Sequence, residues 1–248
     1  MTLSRRASAE FAGTAGLVAA VIGSGIAAAR LSPHDAGLQL LENAVATGLA
    51  LGALILMFGP VSGAHLNPIV SAVDWWLGRR SRTGLTVREL GAYAGAQTLG
   101  AISGAVLANL MFGLPALSRS TTVRHGGNQW LAETIATAGL VLLIVALARS
   151  GRVAAAPAAV GAYIGAAYWW TSSTSFANPA VTIGRMFSDT FAGIAPASVP
   201  GYLAAQTIGG LLALAALAWW YPQTAFMIVS PDQEVTPDER RATHSADD

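Results

Sequence analysis

Two short stretches decide how this chain folds: Ser62-Gly63-Ala64-His65-Leu66-Asn67-Pro68-Ile69-Val70 and Thr174-Ser175-Phe176-Ala177-Asn178-Pro179-Ala180-Val181. In each, a run of small residues arrives at Asn-Pro, and an apolar stretch of about ten residues follows. Proline is accommodated at the first helical position, where its missing N–H would have no partner. Asparagine caps a helix start through its side-chain oxygen and also carries amide donors. Each stretch therefore predicts a loop that ends at a capped helix. Both lie between long apolar segments, an unusual setting for a loop.

The chain has 248 residues, 53% hydrophobic and 11% charged, with a mean hydropathy of +0.51. A soluble domain carries about 25% charged residues, so this composition predicts a membrane protein. Cysteine is absent, which excludes disulfides and thiol chemistry. A net charge of +1 gives no nucleic-acid surface. All 14 basic residues are arginine, a compositional bias rather than a mechanism.

Outward from the two stretches, six apolar runs read as membrane spans, since about 20 apolar residues cross a bilayer as a helix. They are Ala9–Ala29, Leu38–Gly59 (ending at Pro60), Leu90–Phe112, Trp130–Ala148, Val153–Trp170 and Gly201–Tyr221. The apolar tails after Asn67 and Asn178 are too short to span and predict half-helices. The expected organisation is a cytoplasmic N-terminus at 1–8 and a first half-repeat at 9–112. An extracellular loop follows at 113–129, then a second half-repeat at 130–221 and a polar, acidic cytoplasmic tail at 222–248. With the N-terminus inside, Arg5, Arg6, Arg79, Arg80, Arg82, Arg88, Arg149, Arg152, Arg240 and Arg241 lie inside. Arg30, Arg119 and Arg124 lie outside, and Arg185 falls at membrane depth. Arginine excess marks the cytoplasmic side, so both termini are expected there, in the inner membrane.

The halves repeat. Glu10 matches Glu133, Asn67 matches Asn178 and Gln97 matches Gln206, at offsets of 123, 111 and 109 residues. An odd number of spans per half inserts the second half upside down. Inverted repeats with broken helices place a site on the repeat interface near the midplane. The two half-helix N-termini then face each other, each with about half a positive charge, and repel cations at the centre of a pore. Asn67 and Asn178 supply pore-centre amide donors. The carbonyls of Gly63, Ala64, His65 and Leu66, and of Thr174, Ser175, Phe176 and Ala177, supply an acceptor ladder.

These residues, together with Ala-Glu-Phe-Ala-Gly-Thr at 9–14 and the paired Gln-Thr-Leu/Ile-Gly, resemble the major intrinsic protein family, the aquaporins and aquaglyceroporins. The resemblance covers Ala9–Tyr221. It implies an all-α membrane fold of six transmembrane helices and two re-entrant half-helices, an inverted 3+3 repeat. It also implies a homotetramer of independent pores in the lipid bilayer, passing water or small neutral solutes without a cofactor. In the family, four residues line a selectivity filter outside the central asparagines, and the one after the second Asn-Pro-Ala is nearly always arginine. The corresponding residues here are Thr47, Ala166, Ser175 and Val181. With neither arginine nor aromatics among them, the filter is expected to be wide and to suit bulkier solutes. That pattern resembles bacterial members associated with arsenic, so polyols and trivalent or methylated arsenicals join water as expected solutes.

Several residues carry two readings. Arg185, four after Val181, is either a displaced filter arginine at the outer vestibule or a residue paired with Asp189 or snorkelling to the interface. Glu10 and Glu133 are either proton carriers or, as the resemblance implies, supports for the re-entrant loops. His65 lines the cytoplasmic half-pore, as a pH gate or a brace. Gln97 and Gln206 are expected to make interhelical contacts, with glycines allowing close approach. Paired tryptophans near span ends read as interfacial anchors. No metal-ligand spacing, phosphate loop or catalytic constellation is present, so the expectation is no enzyme. An ordinary water or glycerol channel without an arsenic role, a proton-coupled transporter and a non-conducting membrane protein remain as competing readings.

Overall fold

The computed structural model describes residues 1–221; the tail, with Arg240 and Arg241, lies outside the described residues. The described residues form helices and connecting loops, without strands. The α-helices are α1 (Leu3–Leu31), α2 (Ala36–Ser62), α3 (Pro68–Gly78), α4 (Val87–Met111), α5 (Gly127–Arg149), α6 (Ala156–Trp170), α7 (Pro179–Gly184) and α8 (Val199–Trp220). Helices α1, α2 and α5, and the segment Pro196–Trp220, are long and apolar enough to cross a membrane. Helix α4 is as long but opens on Arg88 and Glu89 and buries Tyr93, Gln97 and Asn109. Helix α6 has 15 residues, extended at its start by the short 3-10 turn Val153–Ala155.

Local chemistry sets the ends. Asp35 caps α2, and Thr86 with Glu89 forms a capping box on α4. Helix α2 does not stop before Pro60, as the apolar run predicts, but continues to Ser62. Pro60 falls in its last turn, where a ring that disturbs the preceding turn has little helix left to break. The chain then turns at Gly63, whose φ of 87° suits glycine. The exposed tryptophans Trp76, Trp130, Trp169, Trp170, Trp219 and Trp220 lie at or near helix ends. The Arg79 guanidinium stacks 3.2 Å from the centre of the Trp76 ring.

Helix α1 packs on α2 and α4, and α5 packs on α6 and α8, so each half repeats the same arrangement; α2 against α6 joins the halves. Small residues let the backbones meet. A Cβ at Gly100 or Gly104 of α4 would sit 2.3 Å from the Phe11 or Ala15 carbonyl oxygen of α1. In the other half, a Cβ at Gly209 would sit 2.4 Å from Thr134 O. Gly104→Val is therefore expected to push α4 off α1 at a cost of about 1–3 kcal/mol or more. The check is a lowered midpoint of thermal unfolding for the detergent-solubilised protein.

Candidate functional site

The two loops before α3 and α7 have an uncommon backbone. Ala64 and Leu66, and Ser175 and Ala177, take left-handed φ values of 47–49°, and Thr174 takes 60°. Such conformations cost of order 1–3 kcal/mol each in non-glycine residues and persist only when the surroundings enforce them. Two fully buried carboxylates do this. Glu10 accepts from Ser62 Oγ (2.6 Å), His65 N (2.9 Å), Leu66 N (2.7 Å) and Gln97 Nε2 (2.7 Å). Glu133 accepts from Ser173 Oγ (2.7 Å), Phe176 N (2.8 Å), Ala177 N (2.9 Å) and Gln206 Nε2 (2.7 Å). The glutamine amides also donate to half-helix hydroxyls, Gln97 to Ser71 and Gln206 to Thr182. Each glutamine thus positions a carboxylate and ties a long helix to a half-helix.

The half-helices start where the loops meet. Asn67 Oδ1 caps α3 by accepting from Ile69 N, and Asn178 Oδ1 caps α7 by accepting from Ala180 N and Val181 N. Their amides cross over: Asn67 Nδ2 donates to Ala177 O (2.8 Å), and Asn178 Nδ2 donates to Leu66 O (2.7 Å). One amide proton of each asparagine therefore locks the two loops together. A second remains on each, because an amide nitrogen carries two.

Around this junction lies a cavity of about 100 Å³. Both asparagines line it, as do Gly63, Ala64, His65, Leu66, Ser175 and Phe176 of the loops, Thr47, Val181 and Arg185. Much of the remaining wall is aliphatic, from Leu17, Val21, Leu51, Ile55, Val160 and Ile164. Thr174 and Ala177, expected to line the pore, are not among the cavity's lining residues. His65 Nδ1 lies 3.1 Å from Ser71 Oγ, and its ring meets Tyr93 edge-on at 5.4 Å.

Ala166 is not where its spacing predicts. It is exposed on the outer side of α6, in a groove with Gly48 and Trp169. The residues of α6 that face the cavity are Ala156, Val160, Ile164 and Tyr168, spaced by four. A position two before Tyr168 points about 200° away around a helix of 3.6 residues per turn. Tyr168, 3% exposed, donates its hydroxyl to Thr47 Oγ1 at 3.3 Å.

The expectation of a wall without arginine or aromatics also changes. Val181 does occupy the wall, but Arg185 reaches the same cavity. Arg185 opens the 3-10 turn Arg185–Phe187 that continues α7, and side chains on a helix lean toward its N-terminus, which brings it back toward Val181. Arg185 is 2% exposed, so it does not snorkel. Asp189 is occupied by Thr121 N and Oγ1 and is not its partner. Instead Arg185 Nε donates to Ala192 O, and the guanidinium stacks 3.5 Å from the centre of Phe176. Arg124, expected as an outer loop charge, approaches the same ring at 5.3 Å and donates to Gly193 O and Phe191 O. Burial pushes the Arg124 guanidinium below its ordinary pKa.

Sequence reasoning missed Tyr168, Arg124 and the bracing hydroxyls Ser62, Ser173, Ser71 and Thr182. The hydroxyls had a signal: Ser62 and Ser173, and Ser71 and Thr182, obey the same offset of 111 as the asparagines. Tyr168 had a weaker one, since a buried tyrosine hydroxyl needs a partner.

A narrow, doubly capped junction of this kind between inverted halves defines a membrane channel, and the comparisons agree. The family model for the major intrinsic proteins matches residues 1–175, and the chain belongs to that family. It is a channel and not an enzyme. It is similar to the aquaglyceroporin AqpS of Rhizobium meliloti, at 48% identity over 95% of this chain and 98% of that protein. The glycerol uptake facilitator protein of Pseudomonas aeruginosa is 32% identical over 78% of this chain and 77% of its own length. The X-ray structure of the aquaglyceroporin from Plasmodium falciparum shares the fold at a TM-score of 0.65 and 20% identity, covering 87% of this chain and 96% of that one.

Proposed function

We propose that this channel is an aquaglyceroporin that passes glycerol-like solutes and trivalent or methylated arsenicals, with some water, down their gradients. The observation that carries the reading is the cavity wall. It is mainly aliphatic, broken by the hydroxyls of Thr47, Ser175 and Tyr168, with Val181 where the family's arginine stands and Arg185 reaching in from four residues later. A wall of that kind suits a solute with hydroxyls on one side and an apolar face on the other. A cavity needs about 10–15 Å³ to hold one water, so about 100 Å³ accommodates several waters. The relatives named as an aquaglyceroporin and a glycerol facilitator support the polyol part. The working assembly is a homotetramer of independent pores in the inner membrane, with both termini cytoplasmic. The filter role belongs to Thr47, Ser175 and Val181, with Tyr168 in the place expected of Ala166.

Proton coupling has no foothold in the geometry. Glu10 and Glu133 are 0% exposed, and each serves four donors. Stopped-flow measurements on proteoliposomes should show glycerol and arsenite fluxes several-fold above protein-free vesicles, with no uphill accumulation under a pH gradient. Arsenite flux at the protein-free level overturns the arsenical part. Gradient-driven accumulation overturns passive conduction.

A further inference from the structure

Arg185 is a buried cation in a cavity wall, and among the described residues no carboxylate lies within ion-pair distance of it. Of its five N–H groups, Nε is used on Ala192 O. The planar face rests on Phe176, which fixes the fork without consuming its remaining donors. Ser175 lines the same cavity. It is 2% exposed, and its Oγ has no hydrogen-bond partner. A buried hydroxyl without a partner costs free energy unless something else satisfies it. Nothing in the loop needs that hydroxyl: the equivalent position across the repeat is Ala64, which takes the same backbone conformation, φ 47° against 48°. Across the cavity, Tyr168 donates to Thr47, which leaves the Thr47 hydroxyl proton to give.

The geometry points to a binding station for oxygen-rich solutes, with Arg185 as a specificity-determining residue acting from one helical turn beyond the usual position. Arg185 supplies charge-assisted donors, Ser175 a hydroxyl that donates or accepts, and Thr47 a further donor. Val181 faces the solute's carbon side. The preferred class is a small solute with three oxygens, neutral or singly anionic; a solute of similar size with fewer oxygens dwells less. The fixed positive charge also disfavours cations, adding to the half-helix dipoles at the centre. This rests on the pore reading above and deepens it.

The experiment compares glycerol with 1,2-propanediol, which is close in size but lacks one hydroxyl. Fluxes are measured in phosphatidylcholine vesicles and corrected for protein-free vesicles. The wild type is expected to favour glycerol. Arg185→Ala should lower the glycerol-to-propanediol ratio about tenfold and raise the conductance to small cations, readouts that a merely structural role would not move together. Ser175→Ala should lower the ratio about threefold and must fold normally, because alanine already occupies the equivalent turn. It therefore decides the matter even if Arg185→Ala fails to assemble. A ratio unchanged in Ser175→Ala overturns the station, as does one unchanged in a folded Arg185→Ala. Wild-type vesicles that pass arsenite but show no glycerol preference also overturn it, while the proposed function stands. Vesicles that prefer glycerol but exclude arsenite overturn the arsenical reading and leave the station intact.

Discussion

Glu133→Ala is expected to remove the pore altogether rather than slow it. The substitution strands four donors inside the protein: Ser173 Oγ, Phe176 N, Ala177 N and Gln206 Nε2. Each unsatisfied buried donor costs about 1–3 kcal/mol, so the sum is about 4 kcal/mol or more. That is a large share of the 5–15 kcal/mol that typically separates a folded domain from its unfolded chain. The left-handed turns at Ser175 and Ala177 lose their restraint with it. The purified variant should unfold at a markedly lower temperature in detergent, and its vesicles should match protein-free ones in solute flux. Glu10→Ala should behave alike, because the first loop hangs from Glu10 in the same way. A Glu133→Ala protein with wild-type melting and flux would mean that the loop conformation is enforced elsewhere.

Val181→Arg has the second large expected effect. A cavity of about 100 Å³ that one guanidinium already lines would receive another four residues earlier in the chain. Two like charges about 4 Å apart repel by roughly 4 kcal/mol at an effective dielectric of 20. The added length fills the space left by valine. Glycerol and arsenite permeability should fall at least tenfold, and water permeability less, since water passes a narrower gap. Stopped-flow light scattering on matched vesicles measures all three. Unchanged glycerol flux would show that this cavity is not the solute route.

The two predictions differ in how far the sequence alone anticipates them. The glutamates are legible because they are duplicated. A pair of carboxylates in apolar runs, one in each half, is a pattern that inverted repetition explains. The structure adds that each carboxylate serves two backbone amides, one hydroxyl and one glutamine. The asparagines are legible too, as caps. That their amides cross to the opposite loop depends on two segments 111 residues apart meeting head to head. The filter was less legible. Counting from Asn178 picks Ala166, yet α6 turns Tyr168 inward. Spacing along a chain does not fix the rotation of a separate helix about its own axis; packing of α6 on α2 and α5 does.

By itself, the sequence determines that this protein is an apolar, duplicated, six-span membrane chain with two capped half-helices at its centre. It does so because periodicity, helix caps and the length of apolar runs are local properties. Only the tertiary structure decides what the pore wall is made of. Val181, Arg185, Ser175, Tyr168 and Thr47 come from α7 with the loop before it and the 3-10 turn after it, from α6 and from α2, and share a cavity because those elements converge. The arginine absent by position is present by reach: the turn after α7 and the lean of its side chain return it to the wall, a distance that no residue count contains.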